Sequence, residues 1–500
     1  MATTRASRRA RSRRTEESPD LDPTAPTADE DGHDDGATSI RPLGRRRDES
    51  AQGQSPFAAL LCVVTFALLS VFYLLSAAQG KGTGIGLVLV PVFCLILAPW
   101  ISRLARAQLA FRLLPIVYLG LLLRSLATYF RLENAADALY YHQWGVRLAT
   151  EFRGLNFGVD TQRSVPGTGT VRYVSGLVSV FTGSSIFAEF LVFTLISFMG
   201  ALFLYMAFVT ALPNGDHRRY ALLVFLWPTM IYWPSSIGKE ALMMLGVGMA
   251  SYGAARVFRR KRGGLIPLGA GLWFTLMVRP HIALVIFIAV GIAFMFTRRS
   301  GNSASVTAGK AVAVFVLLFF GGVLIGRTAD FLEVENLGGD GIEQALDQTT
   351  AQTSQGGAEF SPLKAENPAL LPGAVVTVLF RPFPNETHNV ESFLTSLEGF
   401  ILVGLIVTSF GRLKQLPRAL IREPYVAYSL AAMLLFCFLF SYVANFGILA
   451  RQRTQVLPFL FVLLAFVPSP RKLKAAKAPQ RNLTRASLLT SGSSSTDDAT

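Results

Sequence analysis

Asp137 stands in the run Asn134-Ala-Ala-Asp-Ala-Leu-Tyr-Tyr-His-Gln-Trp-Gly145. A helix there brings Asp137, Tyr140, Tyr141 and Trp144 onto one face. A carboxylate in that setting can take a proton from a hydroxyl, and aromatic rings with flat apolar faces and polar edges suit a sugar ring. An interfacial helix whose aromatics form a headgroup belt carries the same pattern.

A second constellation is Pro234-Ser-Ser-Ile-Gly-Lys-Glu240. Lys239 there could hold a phosphate, and Glu240 could position or deprotonate a hydroxyl. Helix-start chemistry, with a Ser cap and an acid in the first turn, accounts for Glu240 but not for Lys239. Arginines recur beside turns in Arg279-Pro-His281, Arg381-Pro-Phe-Pro384 and Ala450-Arg-Gln-Arg453. Their guanidinium forks match phosphate oxygens, which makes Arg279, Arg381, Arg451 and Arg453 candidates for substrate binding, with His281 in the Arg279 turn as a further one; snorkelling anchors are the bland alternative for each Arg. Glu398 is a third candidate acid. It and Arg124 lie inside apolar runs, where an unpaired charge is costly, so each is expected to face the bundle or a wet cavity.

These residues need a scaffold, and the composition specifies its solvent. The chain has 500 residues, 51% of them hydrophobic and only 16% charged, with a mean hydropathy of +0.42. That is more apolar surface than one soluble core can hide, so the solvent is lipid. The net charge of +15 resides in the tails and in alternate short loops, which is a topology signal and excludes a nucleic-acid footprint. Cys62, Cys94 and Cys437 all lie inside apolar runs, which leaves no disulfide or zinc framework. The first apolar run starts too late for a cleavable signal.

Apolar runs of spanning length are Phe57 to Ala78, Ile85 to Ile101, Leu113 to Phe130, Ile186 to Leu212, Tyr220 to Trp233 and Ala241 to Phe258. Leu265 to Val278, Ile282 to Thr297, Ala311 to Ile325, Phe393 to Phe410, Val426 to Val443 and Val456 to Val467 follow. The expected fold is therefore all-α and polytopic, with about twelve transmembrane helices. Residues 56–468 form the membrane domain, and the polar tails 1–55 and 469–500 are expected to be disordered and cytoplasmic. Arg218 and Arg219, Arg259 to Arg262, Arg298 and Arg299, and Arg412 to Arg422 then share the cytoplasmic side. Two long loops, 131–185 and 327–391, fall outside, and each holds an apolar stretch too short to span, Val171 to Phe181 and Leu371 to Phe380.

An acid followed by Tyr in the first large outer loop, a Gly-containing loop, the stretch Val171 to Ser185 and a long helix from Ile186 resemble GT-C fold membrane glycosyltransferases. The likeness is to protein O-mannosyltransferase and aminoarabinose transferase relatives, over roughly Leu113 to Val257. The chain differs in placing the acid after the third expected span rather than the first. The resemblance implies transfer of a sugar from a polyprenyl-phosphate-linked donor to a glycan or lipid acceptor, in cell-envelope or exopolysaccharide synthesis. Asp137 would be the base, with Glu240 and Glu398 as alternates. No cofactor is required; a divalent metal is compatible, but cationic side chains can supply the same charge. An O-antigen-type polymerase would use the same arginines, whereas a lipid-linked glycan flippase should line a path through the bilayer with polar residues. The topology predicts that reporter fusions within Asp330 to Ala369 score extracytoplasmic; cytoplasmic-only activity there would invert the second half of the chain.

Overall fold

In the computed structural model the described residues are 113–134, 136–296, 321–332, 339–354, 358–387 and 389–467. The expected spans Phe57 to Ala78 and Ile85 to Ile101, both tails, and most of Ala311 to Ile325 lie outside them. The described residues are mostly helical and contain no strand, only an isolated bridge between Glu359 and Asn445.

Four helices are long and apolar enough to cross a membrane. These are α1 (Leu113–Glu133), α4 (Ile186–Ala211), α7 (Lys239–Phe258) and α12 (Val390–Thr408). Two bent pairs raise the number to six if each is one span. One joins α13 (Leu416–Arg422) to α14 (Pro424–Phe440) at 116°, and the other joins α15 (Phe446–Arg453) to α16 (Leu457–Ala465) at 51°. Between α1 and α4 lie α2 (Ala136–Arg153) and α3 (Thr168–Thr182). The apolar stretch Val171 to Phe181 thus lies within a helix of 15 residues.

The apolar run from Tyr220 to Trp233 is not one helix. It divides at Trp227 into α5 (His217–Leu226) and α6 (Pro228–Tyr232), because Pro228 has no N–H to continue the ladder. A break inside an apolar bundle leaves backbone groups without partners, and two buried charges supply them. Arg124 on α1 donates to the Met230 carbonyl and, at 3.4 Å, to that of Val224. Glu398 on α12 accepts the Thr229 N–H at 2.7 Å and the Thr229 hydroxyl. Arg124 and Glu398 thus bond the broken segment between them rather than each other.

α8 (Leu265–Val278) and α9 (Pro280–Met295) are apolar but only 14 and 16 residues long. Pro280 starts α9 at a position where its missing N–H costs nothing, and the turn between them presents Arg279. Downstream come α10 (Gly339–Thr353) and α11 (Leu371–Phe380). Arg453, buried on α15, donates at 2.9 Å to the Val378 carbonyl and to that of Arg381, closing the end of α11.

α7 is the pivot of the bundle, with α4 on one side and α8 on the other. A Cβ on Gly248 would sit 2.3 Å from the Gly200 carbonyl oxygen, and one on Gly200 would sit 2.3 Å from that of Met244. Such backbone contact is how helices associate where lipid offers no hydrophobic drive. Gly248→Leu is therefore expected to separate α7 from α4, with a lower yield of folded protein and a lower unfolding midpoint in detergent; an unchanged midpoint would contradict this packing.

Candidate functional site

The start of α7 and the turns at the same end of the bundle enclose a cavity of about 420 Å³. α2 contributes Asp137 and Tyr141, α7 contributes Lys239 and Glu240, the α8–α9 turn contributes Arg279, and α15 contributes Arg451. Arg131, Asn134, Trp233, Asn445 and Gln452 also line it. The segment Trp233 to Gly238, delivered by the broken helix, forms part of the wall.

The two acids differ in setting. Glu240 has a side chain only 12% exposed and accepts from Arg279 Nη2 at 3.1 Å. Asp137 is 74% exposed and faces Arg451 Nη1 at 3.5 Å. Glu240 is therefore held as a counterion, whereas Asp137 remains open to a ligand. Lys239 lies at the positive end of its helix dipole, an unfavourable place for a cation; among the described residues no ion pair holds it, although Glu240 and Asp137 share its cavity. Arg279 Nη1 and Arg131 Nε are buried without a hydrogen-bond partner. Burial, then the Asp137 carboxylate, pushes the Tyr141 phenol above its usual value, so it remains a donor.

Trp233 is flanked by cations, with the Arg131 guanidinium 5.0 Å and that of Arg451 5.9 Å from its ring centroid. These contacts fix two of the four cavity cations against one aromatic ring. Cations thus outnumber acids on the cavity wall, Arg131, Lys239, Arg279 and Arg451 against Asp137 and Glu240. An anion is the complementary ligand.

The remaining sequence candidates have other surroundings. The stripe Tyr140, Trp144, Asp137, Tyr141 spans roughly 100° of helix, and its two edges meet different neighbours. Tyr140 and Trp144 pack on Arg172 of α3, whose guanidinium lies 4.8 and 4.4 Å from their ring centroids. Arg381 grips Glu386 with two nitrogens, donates to the Ser361 carbonyl at 3.1 Å, and lies over Phe360 at 4.4 Å. Arg453 and Glu398 bond backbone groups, as described above. His281 lines a separate apolar groove of about 410 Å³ formed by α9, the helical segment 321–332, α10 and α14. Its Nδ1 is buried without a partner.

Arg131, Trp233, Asn445 and Gln452 were not singled out by sequence reasoning. Arg131 did carry a signal, an arginine closing an apolar run at the same end as Arg279. Trp233 and Asn445 follow helix breaks and have no spacing that marks them. Among the described residues no group of three or more His, Cys, Asp or Glu gathers as metal ligands. No protein-family model, curated protein or solved structure matches the chain.

Glu240→Gln is expected to destabilise the protein by about 3–5 kcal/mol, because it leaves the buried Arg279 charge without its partner. Removing Arg279 as well should recover much of the loss. Thermal unfolding of the single and double variants measures this coupling, and additive losses would contradict the pairing.

Proposed function

We propose that the chain is a multi-pass membrane glycosyltransferase that moves a sugar from a polyprenyl-phosphate-linked donor to a glycan or lipid acceptor at the extracytoplasmic face. The observation that carries this reading is the convergence of Asp137, Lys239, Arg279 and Arg451 on one cavity. A phosphate suits its cation excess, and an exposed carboxylate beside those cations suits a base.

The orientation rests on the ends of α7. Lys239 begins it and Arg259 caps its far end, 20 residues later, a length of about 30 Å that matches the hydrocarbon core. At Arg259's end, Arg412 pairs with Asp216 at 2.8 Å and Arg219 donates to Ser409 at 2.7 Å. Positive-inside bias makes that basic end cytoplasmic, so the cavity faces outward. With the even number of spans expected from hydropathy, the same rule would leave both termini cytoplasmic. A lipid chain would suit the apolar groove lined by His281, two residues along the chain from Arg279 on the cavity wall.

In this reading the acceptor hydroxyl loses its proton to Asp137 as its oxygen bonds the anomeric carbon. The bond from that carbon to the phosphate oxygen breaks on the opposite face, and the configuration inverts. Lys239, Arg279 and Arg451 stabilise the charge gathering on the departing phosphate, while Glu240 fixes the Arg279 fork. A polymerase reading would also draw on Arg381, which is already engaged by Glu386. A transporter reading would draw on Arg124 and Glu398, which are engaged by the broken helix.

Asp137→Asn is expected to lower sugar transfer by two orders of magnitude or more, with folded yield near that of the native protein, since the side chain is mostly exposed. Purified protein in nanodiscs, supplied with polyprenyl-phosphate sugars, gives turnover and yield together. Native turnover by the variant would sink the assignment of Asp137 as base.

A further inference from the structure

Beside the cavity, but outside it, lies a buried polar cluster that the transfer chemistry does not use. Glu189, in the first turn of α4, is fully buried. Its carboxylate receives the Ser175 hydroxyl and, at 3.1 Å, the Ser179 hydroxyl, both from α3. From α2, His142 Nδ1 meets Glu189 Oε2. With the carboxylate accepting, Nδ1 carries the proton. Ser175 also lies 3.0 Å from the Tyr141 carbonyl oxygen, and a Cβ on Gly145 would come within 2.2 Å of the Ser175 hydroxyl oxygen. One carboxylate thus ties three helices together where α2 and α3 touch most closely.

α2 needs such a tie. It carries Asp137 and Tyr141 into the cavity, yet the Asp137 carboxylate is largely exposed and meets Arg451 only at 3.5 Å. His142 itself is 7% exposed and does not line the cavity. It follows Tyr141 in sequence and lies five residues from Asp137, about 7.5 Å along the helix axis. Resting on the function proposed above, we infer that His142 and Glu189 are a positioning pair: they fix α2 in rotation and height, and so aim the Asp137 carboxylate at the acceptor. A misplacement near 1 Å in such a base costs on the order of a hundredfold in rate.

The test uses three substitutions and two readouts. His142→Leu and Glu189→Leu remove the tie. His142→Asn keeps an N–H close to the place of Nδ1. The first readout is steady-state transfer by full-length protein in nanodiscs. His142→Leu should lower kcat about 10- to 100-fold, with KM for the lipid-linked donor within about twofold, because Lys239 and Arg279 do not lie on α2. His142→Asn should restore most of kcat. Equal losses in kcat, KM and folded yield without rescue by Asn would make the pair merely structural and overturn the inference.

The second readout needs no activity. Asp137→Cys and Arg451→Cys, in a background carrying Cys62→Ala, Cys94→Ala and Cys437→Ala, are cross-linked with a short bis-methanethiosulfonate reagent. His142→Leu and Glu189→Leu should slow cross-linking several-fold, and His142→Asn should not. Unchanged rates in all three overturn the inference. Slowed cross-linking, together with a native chain (Asp137 and Arg451 intact) that transfers no sugar from any donor, would leave the tie standing and remove the proposed function instead.

Discussion

The break at Trp227–Pro228 is the constraint from which the candidate site follows. A continuous helix from His217 would carry the chain onward as an uninterrupted rod. Instead α6 and the turn after it bring Trp233 to Gly238 to the cavity wall and start α7 at Lys239. A break in an apolar bundle is costly unless its freed groups are bonded. Arg124 takes carbonyls on both sides of it, and Glu398 takes the N–H and hydroxyl of Thr229. Each charge costs desolvation energy by itself; together with the polar backbone they meet, they make the break tolerable.

The same economy sorts the other charged residues into two classes. Arg381, Arg453 and Arg172 are engaged by a carboxylate, by carbonyls, or by rings and a carbonyl, and so hold secondary structure together. Lys239, Arg279 and Arg451 border the cavity, where Glu240 pairs with Arg279 and the largely exposed Asp137 faces Arg451. Residue type does not separate the classes. What separates them is whether they border the cavity, and that depends on contacts distant in sequence.

The helical class and the helices long and apolar enough to cross a membrane were legible in hydropathy, because runs such as Ile186 to Ala211 are apolar almost throughout. Lys239 and Arg279 were legible as cations where neither helix-start chemistry nor charge bias calls for them. The division of the α2 stripe was not, because a period of 3.6 residues defines a face but not the neighbours at its two edges. Glu398 read as a candidate acid because an intramembrane carboxylate marks function by default; its actual partner, Thr229, lies 169 residues away. The pairing of His142 with Glu189 crosses 47 residues and two helices, and no local pattern encodes it.

The proposed function requires the cavity bordered by Lys239, Arg279 and Arg451 to hold the phosphate of a lipid-linked donor. Thermal stabilisation of the purified protein by a short polyprenyl phosphate, compared with the matching polyprenyl alcohol, tests it directly. At a hundredfold excess over Kd a ligand of the folded state contributes about 2.7 kcal/mol, a readily measured shift. The account predicts that the phosphate raises the unfolding midpoint in a saturable way, that the alcohol raises it far less, and that Lys239→Gln removes most of the difference. Equal shifts from phosphate and alcohol, or an undiminished difference in Lys239→Gln, would contradict it.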